Sequence, residues 1–174
     1  MIELKVIDFF QQEADAHIHQ ANCFHVMGAG IAKDIRELFP EAYEADKKTS
    51  YGDPSKLGTF SHAAVYNFSF PGVSNIINLY GQFELGGGKR QTDYNALVEG
   101  LTSLRNNILK KDSGEVKILA IPYGIGCNRG GGDWHIVMAI LESVFGQSLN
   151  IKVLICQHPD FGTKGVLDSG ANLR

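Results

Sequence analysis

The sequence lacks the features that mark membrane and secreted proteins. No apolar run in its 174 residues approaches the roughly 18 residues of a membrane span. No basic segment precedes an apolar one at the start of the chain, so we expect no secretory signal. The cysteines are few, odd in number and far apart, at Cys23, Cys127 and Cys156, which argues against a disulfide framework. These absences predict a protein of the reducing cytoplasm without a membrane segment.

Charge of one sign and repeated segments are also scarce. The formal net charge of −3 argues against a broad electrostatic nucleic-acid binder. The chain contains no internal repeat or linker, and its length fits one domain. We therefore predict a monomeric domain over residues 1–161, followed by a polar, glycine-bearing tail over residues 162–174.

Hydrophobic periodicity predicts a chain in which strands alternate with helices. Strands are expected at residues 2–8, 16–21, 58–68, 75–80, 116–122 and 151–156, and helices at 31–39, 41–48 and 133–145. The first helix is stopped or kinked at Pro40, and a further helix is capped by Thr92. The apolar stripe of that further helix is Leu97, Leu101, Leu104 and Ile108. This order predicts a three-layer α/β/α fold with a mixed, largely parallel central sheet.

Two glycine-rich loops each connect a predicted strand to a predicted helix. The first is NCFHVMGAG at residues 22–30, and the second is GIGCNRGGG at residues 124–132. Neither has the spacing of a dinucleotide fingerprint, and the GGGK segment at residues 86–89 lacks the context of a phosphate-binding P-loop, so we interpret it as a surface loop. Because ligands of such sheets bind at the carboxyl ends of the strands, we expect both loops to form one anion-binding cleft.

Two aspartates at predicted element ends each admit two interpretations. Asp133, at the start of a helix, is either an N-cap or a carboxylate that orients a water above the second loop. Asp8, at the end of the first strand, is either a solvated strand terminus or an acceptor for an exocyclic amine.

Histidines and cysteines raise two further hypotheses. His17, His19, Cys23 and His25 match no standard zinc spacing, so we predict no metal site. A Cys127 nucleophile paired with His25 requires that the backbone donors of its loop lower the cysteine pKa, whereas a packed cysteine is the simpler interpretation.

The two loops together resemble the macrodomain family. The segments QANCFHVMGAGIAKDIRELFPEAYEAD and IPYGIGCNRGGGDWHIV carry the resemblance, and the motif order agrees from Asp8 to about Cys156. The similarity is to the branch that contains terminal ADP-ribose glutamate hydrolases and yeast-type ADP-ribose-1″-phosphate phosphatases. It implies that ADP-ribose lies across the crest of the sheet, and it implies no cofactor.

The resemblance also implies a role for individual residues. Asp8 would accept from the adenine amino group beside the backbone of Phe9, Asn22 would contact the distal ribose, and His158 or Phe161 would cover adenine. The diphosphate would lie between the two loops, which contribute Gly28, Ala29, Gly30, Ile31, Ile125, Gly126, Cys127, Asn128, Arg129 and Gly130.

The sequence departs from the glutamate hydrolases at their catalytic positions. No lysine directly follows the strand at residues 75–80, since the next one is Lys89, and the position of the catalytic acid is Gly130. We therefore expect water attack on ADP-ribose-1″-phosphate or on ADP-ribose attached to protein or nucleic acid, with Asp133, His25 and Asn22 as candidate catalytic residues. The alternatives are a non-catalytic ADP-ribose reader and a reader of another nucleotide on the same fold.

Overall fold

The protein forms a six-stranded sheet between two helical layers. The structure is a computed structural model that describes residues 1–86, 88–110 and 117–161, and for residues 108–110 it describes the backbone. The strands are β1 (Ile2–Val6), β2 (Ala16–Asn22), β3 (Phe60–Ala64), β4 (Asn75–Gln82), β5 (Lys117–Pro122) and β6 (Ile151–Gln157). The helices are α1 (Gly30–Leu38), α2 (Pro40–Lys47), α3 (Tyr94–Lys110) and α4 (Trp134–Phe145), with a 3₁₀ turn at Pro54–Lys56.

The sheet is mixed and mostly parallel, which confirms the predicted fold class. Its strand order is β1-β6-β5-β2-β4-β3, and only β3 runs antiparallel to its neighbour in this sheet. Strand β5 shows why both faces need cover, because Leu119 and Ile121 pack with α3 and α4 while Ala120 packs with α1 and α2. A central strand buried on both faces explains the nearly continuous apolar run in its sequence.

Pro40 ends one helix and begins the next. Helix α1 ends at Leu38, and the N–H of the fully buried Phe39 still donates to the Ile35 carbonyl at 2.8 Å. Pro40 is then the first residue of α2, where its missing N–H costs no helical hydrogen bond. The predicted break is therefore a helix boundary rather than a kink.

Thr92 is not the N-cap of α3, so that prediction is wrong. The cap is Asp93, whose carboxylate accepts from the Ala96 N–H at 3.0 Å. The Thr92 side chain is buried and donates its hydroxyl proton to the Gly126 carbonyl at 2.6 Å, so it holds the second loop instead. Leu97, Leu101 and Leu104 are buried as the stripe predicts.

Some predictions fall outside the described residues. They are the Ile108 side chain, Val116 and the tail at 162–174. Within the described part of the chain, no helix combines the length and apolarity needed to cross a membrane.

Candidate functional site

The strand order arranges residues at the strand ends, among them the predicted Asp8, Asn22 and His158, in a row along one edge of the sheet. Asp8 follows β1, His158 follows β6, Tyr123 follows β5, and Asn22 and Gln82 close β2 and β4. In the sheet these strands are consecutive neighbours. With about 4.8 Å between adjacent strands, the row from β1 to β4 is roughly 19 Å long. A cleft of about 750 Å³ runs along this row, so it suits an elongated ligand.

Both glycine-rich loops line this cleft, which confirms that they converge. The predicted residues that line it are Asp8, Phe9, Asn22, Gly28, Ala29, Gly30, Ile31, Ile125, Gly126, Asn128, Arg129, Gly130, His158 and Phe161. Cys127, Asp133 and His25 are not among the lining residues, although the structure describes all three. Lining places a residue at the cleft, and its role there stays a prediction.

The β1 end of the cleft presents a carboxylate oxygen and aromatic rings. Asp8 Oδ1 accepts from the Phe10 N–H at 2.9 Å, while Oδ2 lies 3.6 Å from His158 Nε2. The Phe161 ring packs edge-on against Tyr123, with ring centres 4.9 Å apart. Both residues considered for covering adenine therefore line the cleft, but only Phe161 is supported by a second ring.

Phe9 is held at this end by a buried histidine. The rings of Phe9 and His17 meet edge-on with centres 5.0 Å apart, and His17 Nε2 donates to the Gln12 carbonyl at 2.9 Å. Burial lowers the pKa of His17 to about 4, against a weaker rise from hydrogen bonds with the backbone, so the ring is neutral at pH 7.

The first loop leaves the start of α1 open to an anion. The helix begins at Gly30, whose φ of +54° favours glycine, and the N-cap is Ala29, which has no side-chain oxygen to cap the first turn. The N–H groups of an uncapped first turn and the helix dipole favour a negative charge. The lining residues Gly28, Ala29 and Gly30 give such a charge close access to the backbone.

The second loop is a compact set of turns that leaves no room for side chains at key positions. A Cβ atom at Gly126 would lie 2.5 Å from Gln20 Oε1, and one at Gly130 would lie 2.5 Å from the Gly126 carbonyl oxygen and still closer to Thr92 Oγ1. Residue 130 therefore cannot carry the catalytic acid of the glutamate hydrolases without rearranging the loop.

Cys127 does not have the properties of a nucleophile. Its thiol donates to the Ile125 carbonyl at 3.4 Å and packs against the main core cluster. Burial raises its pKa to about 11, and the Asp133 carboxylate adds to the rise. The nucleophile hypothesis required a lowered pKa, whereas burial raises it, so the structure agrees with the simpler interpretation of a packed cysteine. Cys127 is not among the residues that line the cleft, and its expected place in the diphosphate loop stays a prediction.

Asp133 acts as the N-cap of α4. Its Oδ1 accepts from the His135 N–H at 2.8 Å, and the residue is exposed and lies outside the cleft lining. Between the two interpretations of this aspartate, the structure supports the cap.

His25 faces the body of the protein rather than the cleft. Its φ of +54° turns the chain so that Nε2 donates to Thr49 Oγ1 at 3.1 Å, since the Thr49 hydroxyl proton goes to the Asp46 carbonyl at 2.6 Å. Burial lowers its pKa, the Asp46 carboxylate opposes this shift, and the Lys56 ammonium adds to it. The structure does not bring His25 into the position expected of a water-activating group.

Asn22 uses most of its amide to shape its own loop. Oδ1 accepts from the N–H groups of Phe24 at 2.9 Å and Val26 at 3.3 Å, and Nδ2 donates to the Val26 carbonyl at 2.7 Å. An amide has two N–H donors, so one is left for a ligand in the cleft.

Sequence reasoning missed three polar residues that line the cleft. Gln20 Nε2 donates to Gln82 Oε1 at 2.8 Å and to Thr92 Oγ1 at 2.9 Å, and Asn22 pairs with Gln82 in the strand register. Asp34, on α1, also lines the cleft, and its pKa is raised by burial and by Glu37. The pairing of residue 22 with residue 82 would have pointed to Gln82, but a sequence does not show which strands are neighbours.

Three of the four residues in the rejected metal pattern are packed in the interior, and the fourth, His25, is partly buried. His17, His19 and Cys23 are fully buried, and His19 Nε2 lies 2.7 Å from Asn78 Oδ1. Among the described residues, no group of three or more His, Cys, Asp or Glu side chains is arranged to hold a metal ion.

Several solved structures with this architecture are macrodomains. The macrodomain of Mycobacterium tuberculosis DarG is 23% identical to this chain and has a TM-score of 0.72. The match covers 91% of this chain and 98% of the DarG macrodomain. Thermosipho africanus DarTG in complex with ADP-ribose is 22% identical with a TM-score of 0.70, over 90% of this chain and 41% of that one. The Oceanobacillus iheyensis macrodomain with ADP is 15% identical with a TM-score of 0.64, and the match covers 90% of this chain and 83% of that one. The chain therefore has the macrodomain fold that its motifs imply.

Sequence similarity identifies a relative that is itself uncharacterised. The chain is 34% identical over 142 residues to a 17.5 kDa protein from the tk-vs intergenic region of Enterobacteria phage T4, across 78% of this chain and 83% of that protein. The chain belongs to the same family as this phage protein. No family model matches the sequence.

Proposed function

We propose that this protein binds ADP-ribose along the crest of its sheet. The observation that carries the proposal is the order of groups in the cleft: Asp8 at the β1 end, the two glycine-rich loops in the middle, and Asn22 with Gln82 toward the β4 end. An amine acceptor, an anion-binding centre and hydroxyl-binding amides follow the order of adenine, diphosphate and distal ribose. The solved relatives in complex with ADP-ribose and with ADP support it.

The β1 end is assigned to adenine. Asp8 Oδ2 accepts from the exocyclic amine, because Oδ1 is already occupied by the Phe10 N–H. Phe161 covers the base, since its ring is supported by Tyr123, while the His158 nitrogen faces Asp8. The backbone of Phe9 completes this end of the cleft.

The middle of the cleft is assigned to the diphosphate. One phosphate lies at the uncapped start of α1 beside residues 28–31, and the other lies against the turns of residues 125–130. Arg129 lines the cleft and adds a positive charge to the backbone donors.

For the reaction, we propose hydrolysis of an ADP-ribose derivative by water attack. The substrate is ADP-ribose-1″-phosphate or ADP-ribose attached to protein or nucleic acid. The backbone donors of the loops stabilise developing negative charge, and the α-phosphate or a ribose hydroxyl of the substrate positions the water. This route needs no protein base in the cleft, which fits the placement of Asp133 and His25 outside its lining.

One observation favours a non-catalytic reader as the second candidate. At the Asn22 end, the polar side chains that line the described part of the cleft are the amides of Gln20, Asn22 and Gln82, and none is a carboxylate, imidazole or lysine. Amides bind hydroxyl groups well, but they are poor general bases.

A hydrolysis panel distinguishes the enzyme from the reader. The purified protein is incubated with ADP-ribose-1″-phosphate, an ADP-ribosylated protein and an ADP-ribosylated oligonucleotide, and released ADP-ribose is measured by chromatography. Release from one substrate at a rate above the protein-free control supports hydrolysis. Tight ADP-ribose binding with no release from any substrate supports the reader.

The adenine assignment is tested by changing the base and Asp8 together. We expect ADP-ribose to bind at least about tenfold more tightly than its guanine counterpart, because the carboxylate accepts from the adenine amine and repels the guanine carbonyl oxygen. Asp8→Asn keeps an oxygen for the Phe10 N–H and should reduce this preference. Equal binding of the two nucleotides by the unaltered protein would contradict the assignment.

A further inference from the structure

A buried charged cluster lies directly beneath the first loop, outside the cleft lining. Asp46 is 1% exposed and Lys56 is 5% exposed, and neither borders the cleft. Lysine and aspartate are almost never this buried unless they are paired. The pair therefore needs an explanation that the proposed ligand contacts do not supply.

Lys56 is held from three sides. Its Nζ donates to the Cys23 carbonyl at 3.2 Å, lies 3.6 Å from Asp46 Oδ1 and sits 4.4 Å above the centre of the Tyr80 ring. The Tyr80 hydroxyl donates to the same Asp46 oxygen at 2.8 Å. Asp46 and Tyr80 thus fix the ammonium group, and its remaining directed bond goes to the loop.

The accepting carbonyl belongs to the residue after Asn22. The Cys23 carbonyl also accepts from the Gly52 N–H at 2.8 Å, and the Cys23 N–H donates to the Phe83 carbonyl at 3.1 Å. These bonds fix the two peptide groups on either side of Cys23, which lie within the turn at residues 22–26. That turn directs the last free N–H of Asn22. A methionine in place of Lys56 would fill the same space, but it could not bond to the carbonyl.

We propose that Lys56 is a positioning residue for the distal-ribose half of the cleft. It acts through the Cys23 carbonyl on the Asn22 side chain and does not touch the ligand. The inference rests on the proposed function, because it assigns Asn22 to the part of ADP-ribose that AMP lacks. It predicts a selective loss: Lys56 variants lose affinity for ADP-ribose and keep their affinity for AMP.

The test measures both ligands by calorimetric titration in Lys56→Met. We expect the ADP-ribose affinity to fall at least tenfold, while the AMP affinity stays within twofold of the unaltered protein. Lys48→Met, which removes an exposed lysine next to α2, is the matched control and should change neither affinity. A parallel fall for both ligands, or an unchanged ADP-ribose affinity, would overturn the proposal.

The double variant Lys56→Met/Asp46→Asn separates positioning from an unpaired buried charge. Lys56→Met alone leaves the Asp46 carboxylate without its cation, which can disturb the fold locally. In the double variant neither charge remains, and the new amide at position 46 still offers an oxygen to the Tyr80 hydroxyl. Persistent loss of ADP-ribose affinity supports positioning through the Cys23 carbonyl, and recovery to the unaltered value overturns it. If the unaltered protein itself binds no ADP-ribose, the proposed function fails and this inference fails with it.

Discussion

At single positions on the crest, the available space limits which residue can be present as much as the chemistry of binding does. A methyl group at Gly130 would overlap the Gly126 carbonyl oxygen, which is a backbone atom, and one at Gly126 would overlap the end of the Gln20 side chain at a φ of +73° that favours glycine. The loop therefore keeps its shape because its glycines have no side chains, and the same closeness exposes backbone N–H groups to an anion.

Gly130→Ala should destabilise the protein and abolish ADP-ribose binding. The new methyl group would overlap Thr92 Oγ1 and the Gly126 carbonyl, and we expect a cost of about 1–3 kcal/mol in the free energy of unfolding. Gly28→Ala is the control, because its nearest neighbour is Val26 Cγ1 at 3.8 Å, and its stability should change by less than about 0.5 kcal/mol. Urea denaturation measures both, and equal stability of the two variants would contradict the packing argument.

His17 should make stability fall as the pH drops below neutral. Its pKa is lowered to about 4 in the folded protein by burial, from an ordinary value near 6.5. Between these values the unfolded chain binds the proton and the folded protein does not, so acid favours unfolding; above pH 6.5 the contribution is constant. From pH 7 to pH 5 this group should cost about 2 kcal/mol.

His17→Gln removes this titration and keeps a side-chain donor for the Gln12 carbonyl. In urea denaturation at pH 7 and pH 5, the variant should lose about 2 kcal/mol less stability than the unaltered protein. His62→Gln, on the exposed side of β3, removes one imidazole without removing a buried group and serves as the control. Identical pH dependence in the His17 variant and the unaltered protein would show that His17 is not the titrating group.

At the scale of elements, three helices begin next to the glycine-rich loops, and the aspartates at two of these starts stabilise the helix by capping it. Asp133 and Asp93 both begin helices beside the second loop and cap them with a carboxylate oxygen. Ala29 is the contrasting case, because α1 begins at the first loop without a side-chain cap. Helix α2 also begins without a side-chain cap, at Phe39, but of these two helices only α1 has its start among the residues that line the cleft.

The cap and catalytic interpretations of Asp133 predict opposite results for Asp133→Asn. Asparagine caps helices as well as aspartate does, so we expect stability and hydrolysis of the ADP-ribose derivative close to those of the unaltered protein. Asp133→Ala should lose about 1 kcal/mol of stability in thermal or urea unfolding. An Asp133→Asn variant that folds normally but loses hydrolysis would establish a catalytic carboxylate.

Element periodicity predicted most of the helices and strands, whereas single boundaries needed atomic detail. The stripe of Leu97, Leu101 and Leu104 places α3 correctly, but its N-cap is Asp93 and not the predicted Thr92. Thr92 does not cap the helix because its hydroxyl donates instead to the Gly126 carbonyl, which lies 34 residues further along the chain. The antiparallel direction of β3 is likewise set by its pairing with β4 and not by its own residues.

For the whole molecule, the order of strands turns distant sequence segments into one binding surface. Residues 8, 22, 82, 123 and 158 are scattered along the chain, and the sheet order makes them consecutive positions on the crest. Motifs alone predicted that the two loops meet. They could not show that the Asn22 end is lined by Gln20 and Gln82, or that Lys56 lies buried beneath it, because those contacts depend on strand pairing.

The most direct test of the account is a calorimetric titration of the unaltered protein with ADP-ribose, with AMP as the comparison. We predict micromolar binding of ADP-ribose, about −8 kcal/mol, and clearly weaker binding of AMP, which lacks the second phosphate and the distal ribose. Equal affinities would contradict the assignment of the middle and the Asn22 end of the cleft. An absence of ADP-ribose binding would contradict the proposed function and leave the macrodomain fold without its ligand.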